Sequence, residues 1–91
     1  MSFLLTQSDE ETIEIAWSLG LVKAAIGFGK GYCQITGKRI PDNTGVTLYI
    51  FADNHSLKLN LKDTAIPYLL SQESYVILKE LLDKVYPRRG K

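Results

Sequence analysis

Apolar positions recur at helical spacing near both ends of this chain and alternate with polar ones in the middle. Ser8-Asp9-Glu10-Glu11 reads as a capping box: Ser8 accepts from the N–H of Glu11, and the Glu11 side chain reaches back to Ser8. The pattern predicts a helix from Asp9 to Ile26, ended by the glycines at 27, 29 and 31. Ile13, Ala16, Trp17, Leu21 and Ala24 fall on one side of it, and Ile15, Leu19, Val22 and Ile26 on the other. A helix apolar on two sides needs cover on both. One small sheet covers one side, so a second subunit is expected at either Trp17 and Leu21 or Leu19 and Val22. Thr12 to Ile15 also alternates, so this segment could instead begin as a strand.

The middle reads as β structure. Tyr32 to Ile35 is a short strand followed by a turn at Thr36-Gly37-Lys38, and Pro41 to Gly45 is a loop. Val46–Ala52 and His55–Lys62 flank Asp53-Asn54, which predicts a hairpin over 46–62 pairing Ile50 with Leu57, Leu48 with Leu59, and Val46 with Leu61. Lys62 to Pro67 is a connector. Ser71 then caps a second helix that runs to Tyr86 and is stopped by Pro87. Its apolar stripe is Tyr75, Leu78, Leu82 and Val85, widened by Ile77 and Leu81. The expected fold is α+β: an N-terminal helix, an antiparallel sheet of three or four short strands, and a C-terminal helix packed on the sheet. Residues 1–91 form one small domain, with 87–91 as a flexible basic tail.

A chain of 91 residues buries only about 60–65% of the surface its unfolded form exposes, so its core is limited. One cysteine, Cys33, allows no internal disulfide, and with one histidine, His55, it cannot fill a four-ligand zinc site. Oligomerisation or a larger partner remains as the source of extra stability. The apolar run from Ile15 to Phe28 is interrupted by Ser18 and Lys23 and falls short of the ~20 residues that cross a bilayer. The first residues lack a basic leader, so a cytoplasmic location without membrane contact is expected.

Enzymatic parts are missing. Cys33 would need a base, and His55 is the one histidine; both read more simply as a buried apolar thiol and a turn residue. The acids are scattered, and no pair suggests a general acid and base. Gly27 to Tyr32 is rich in glycine, but it follows a helix and leads into a strand, the reverse of a phosphate loop. No cofactor or metal is implied. Cys33-Gln34-Ile35-Thr36-Gly37-Lys38-Arg39 locally resembles the opening of a small, strongly basic bacterial large-subunit ribosomal protein, in which the related motif forms the first half of a zinc knuckle. The resemblance covers seven residues, the second cysteine pair is absent, and it implies no more than a shared turn.

Net charge is +1, yet no acid lies between Ile15 and Pro41, where Lys23, Lys30, Lys38 and Arg39 stand. Arg88, Arg89 and Lys91 add a basic end. On the expected hairpin, Tyr49 and Phe51 share the outer face with Lys58 and Lys62. Aromatic rings among lysines serve either as anchors for a protein partner or as a stacking platform for single-stranded nucleic acid. A structural alternative places the rings under a helix or along the stem of Lys58. Near-neutral charge favours protein. The expected function is therefore a small protein-interaction module (an adaptor, regulator or inhibitor) that self-associates. The alternative is a nucleic-acid-binding protein using that face together with Lys30, Lys38, Arg39, Arg88 and Arg89.

Overall fold

The computed structural model of the protein describes residues 5–27 and 31–87. Helix α1, Gln7–Leu19, starts two residues before the expected Asp9. Thr6 is the N-cap: its hydroxyl accepts the N–H of Asp9 at 3.1 Å, and the Asp9 carboxylate accepts the N–H of Thr6 at 3.2 Å. The capping box is real but set on Thr6 and Asp9, not Ser8 and Glu11. Gly20 closes the helix in left-handed geometry, φ 73°, with its N–H on the carbonyls of Ala16 and Trp17. The expected helix to Ile26 therefore stops at Leu19, and Val22–Ile26 becomes strand β1.

β2 (Gly31–Tyr32) and β3 (Arg39–Ile40) pair as a small antiparallel arm around the expected turn at 36–38. β4, Val46–Ile50, is the centre of a three-stranded antiparallel sheet of order β1-β4-β5, where β5 is Ile66–Leu70. Leu48 lies between Ala24 and Tyr68, and Ile50 between Val22 and Ile66. Val46, Leu48 and Ile50 face the core, as their alternation requires.

The hairpin expected over 46–62 does not form. Asp53 instead caps helix α2, Asn54–Lys58, its carboxylate accepting the N–H of Ser56 at 2.8 Å. Asn60 then takes a left-handed φ of 55°, which breaks the strand alternation, and a short 3-10 turn follows at Lys62–Thr64. Leu59 and Leu61 end up exposed. Pairing with β4 goes to Ile66-Pro67-Tyr68-Leu69-Leu70, read from sequence partly as a connector. Pro67 fits there because β5 is an edge strand and needs no N–H on its outer side.

Helix α3, Gln72–Val85, begins where the sequence placed it, with Ser71 as N-cap accepting the N–H of Ser74. The fold is thus α+β with an N-terminal helix, small antiparallel sheets and a C-terminal helix. The core joins Ile13, Ala16 and Trp17 of α1, Leu48, Ile50, Tyr68 and Leu70 of the sheet, Cys33 and Ile40 of the arm, and Leu82 of α3. Trp17 and Leu21 are 4% and 8% exposed, so the chain's own fold already covers these two side chains, expected at a subunit contact. Among the described residues, no helix is long and apolar enough to cross a membrane.

Candidate functional site

The loss of the hairpin scatters the residues expected to bind a partner. Tyr49, in β4, is half-buried with the Lys62 Nζ 5.2 Å from its ring centroid, a cation–π contact. Phe51 approaches it, ring centroids 6.5 Å apart, but is 2% exposed and belongs to the core. Phe51 is therefore no surface anchor: its N–H reaches the Leu21 carbonyl and fixes it beneath α1. Lys58 lies exposed on α2, a separate element. Of the four, Tyr49 and Lys62 remain together at the surface. The unexpected neighbour is Lys23, which faces Tyr49 across the β1–β4 ladder. Lys38 and Arg39 are exposed on the arm, whereas Lys30, Arg88, Arg89 and the tail after Pro87 lie outside the described residues.

Cys33 is fully buried where the arm meets the first turn of α3. Burial opposes its ionisation, but hydrogen bonds from the Ser74 hydroxyl, the Ser71 backbone, and the backbone and side chain of Thr36 outweigh that and bring the thiol down to about 6. Cys33 Sγ and Ser74 Oγ are 3.4 Å apart, and Ser71 Oγ lies 3.0 Å from Ser74 Oγ. This junction fastens the arm to α3. Among the described residues, no group of three or more His, Cys, Asp or Glu side chains could hold a metal ion.

Among the described residues, apolar grooves open on the surface beside α1. One, of about 320 Å³, runs beside α1 past Ile15, Leu19, Phe51 and Ile66. Leu19 lines it, while Val22 is half-buried in β1. Another, of about 200 Å³, lies between α1 and α3; Leu5, Ile13, Ile35, Leu78, Leu81 and Leu82 line it, with Glu10 and Glu14 as its charged residues. This second groove continues onto an open face of α3. Ile77, Leu81 and Val85 recur every four residues and are 61%, 57% and 57% exposed. Sequence alone groups them with the core because they adjoin the half-buried Leu78 and the buried Leu82. The signal it contained was width: a helix packed on one side needs a stripe of roughly 100°, and the apolar arc of α3 is wider.

The wall across from α3 is acidic. α1 carries Asp9, Glu10, Glu11 and Glu14 and no lysine or arginine. Asp9 is occupied structurally: the Thr6 backbone, then Tyr68 and the Thr6 hydroxyl, hold its carboxyl below the usual range. Its partner Tyr68 donates to it at 2.9 Å, and burial, reinforced by that bond, pushes the phenol up to about 12. Glu10 and Glu14, one turn apart, are exposed along the groove. Compared with protein-family models, with curated proteins and with solved structures, the chain matches none, so the reading of this surface rests on its geometry and chemistry.

Proposed function

We propose that this protein is a protein-interaction module that docks a partner on the face shared by α1 and α3. The observation that carries the reading is the run of exposed Ile77, Leu81 and Val85 continuing into an apolar groove. Single exposed aliphatics are ordinary on a protein surface; a row of them beside a groove marks an interaction site. The class is the one the composition favours, but the surface has moved. The Tyr49–Lys62 pair satisfies itself, and Phe51 supports the core.

Side-chain economy points the same way. Tyr75, Leu78 and Leu82 of α3, with Tyr86 just past its end, already pack in or against the core, so the fold has no need of a second apolar row. Ile77, Leu81 and Val85 leave more than half of their surface uncovered in the free chain, and a partner that covers it gains the corresponding part of the about 1.5–3 kcal/mol that full burial of such a side chain contributes. A photo-cross-linking amino acid at position 81, in the cell of origin, tests the reading against the same label at position 58 on α2. A discrete adduct with a second polypeptide at 81, lost on Ile77→Asp, is expected. Adducts from 58 and none from 81 would overturn it.

A further inference from the structure

We infer that the segment received by the α1–α3 groove is a basic, amphipathic helix of another protein; this rests on the docking reading above and names its partner. Three features of this surface select that occupant.

The first is length and spacing. Ile77 to Val85 is eight residue steps, about 12 Å at 1.5 Å per residue, or two helical turns. A helix laid alongside meets such a row with anchors at i, i+3 or i+4, and i+7. The second is volume. A ~150 Å³ apolar cavity admits benzene, so the groove of about 200 Å³ takes one large aliphatic or aromatic anchor.

The third feature is charge, and it decides between occupants. Glu10 and Glu14 line the groove, Glu11 adds a third exposed carboxylate to α1, and no cation on that helix offsets them. On the α3 side, Lys79 pairs with Asp83 at 3.0 Å, and Glu73 and Glu80 accompany Lys84. An acidic helix entering here meets like charges, which raises the cost of association; a basic one is steered in and held at the rim. A second copy presenting its own α1 would set carboxylates against carboxylates. The partner helix therefore carries leucine-like anchors on one side and lysine or arginine on its flanks.

The test uses three labelled peptides and fluorescence anisotropy. One has leucines at helical spacing with lysines elsewhere; the second replaces lysine by glutamate; the third scrambles the leucine and lysine positions. The full-length protein should bind the first peptide, with affinity falling as salt rises. Leu81→Asp should weaken it by about tenfold or more, as should Glu10→Lys with Glu14→Lys, the latter also flattening the salt response. Leu19→Asp, in the other groove, should leave it unchanged. The exposed position of Leu81 and the rim carboxylates keeps these variants folded, checked by circular dichroism, and Glu10→Gln with Glu14→Gln should give a smaller loss of the same sign. Equal binding of the glutamate peptide, lost on Leu81→Asp, would overturn the basic partner while leaving the docking surface standing. Binding of the scrambled peptide as tightly, or indifference to Leu81→Asp, would overturn the groove as the site. A concentration-dependent dimer abolished by Leu81→Asp would assign the groove to a second copy and overturn the inference.

Discussion

The Trp17 indole N–H donates to Asp83 Oδ1 at 2.8 Å, tying α1 to α3 although 66 residues separate them in sequence. The other carboxylate oxygen of Asp83 takes the Lys79 ammonium at 3.0 Å. This carboxylate thus links the two helices that flank the groove. Asp83→Ala strands the N–H of a buried tryptophan, and a buried unsatisfied donor costs about 1–3 kcal/mol. A drop in Tm of roughly 4–8 °C per kcal/mol is expected for a domain this small. Lys79→Ala removes an exposed i,i+4 pair worth about 0.3–0.5 kcal/mol and should barely move the melt.

Phe51 and Leu81 form a contrasting pair. Phe51 is core, so Phe51→Ala should cost about 3–5 kcal/mol in a urea titration. Leu81→Asp changes an exposed side chain and should stay within about 0.5 kcal/mol of the parent. A large loss for Leu81→Asp would mean that the α3 row is structural, not a docking surface.

Cys33 should titrate near pH 6 when followed by thiolate ultraviolet absorbance, and Ser74→Ala should raise that midpoint. The folded pKa lies below the ordinary thiol value of about 8.5. Between about pH 6 and 9 the unfolded chain therefore holds the proton that the folded chain has released. Stability should rise with pH across that window and be lost as pH falls through 6. Cys33→Ala should abolish this dependence and cost stability modestly, since the thiol joins the arm to α3.

The Asp9–Tyr68 bond gives two further pH dependences. The carboxyl of Asp9 is depressed, so its contribution is present above the ordinary value of 3.8 and lost as pH falls through its lower folded value. Tyr68, raised to about 12 from 10.0, contributes fully below pH 10 and loses that contribution as pH climbs toward 12. Thermal melts of Tyr68→Phe against the parent should converge in strong alkali, because the variant lacks the phenol that must be kept neutral.

How far the sequence spoke depended on whether a signal was local and unopposed. Ser71 before an apolar-periodic run fixed the start of α3, and the alternation of Val46, Leu48 and Ile50 fixed their inward face. The strand over His55–Lys62 failed because Asp53 offers its carboxylate to the N–H of Ser56, a local bond that starts a helix where alternation alone suggested a ladder. Leucine is as much at home in a helix as in a strand, so Leu57, Leu59 and Leu61 did not resist. The run of apolar residues past Leu19 masked the helix stop at Gly20. The docking surface was hidden for a related reason: periodicity shows which residues are apolar, and only packing shows which of them the fold leaves uncovered.

Methyl chemical shifts of the protein, recorded while the leucine–lysine peptide is added, test the docking surface most directly. Ile13, Ile77, Leu78, Leu81 and Val85 line or extend the α1–α3 groove and should shift together, while Leu19 and Ile66 in the other groove stay still. Shifts confined to Leu19 and Ile66, with Leu81 and Val85 unmoved at saturating peptide, would contradict it.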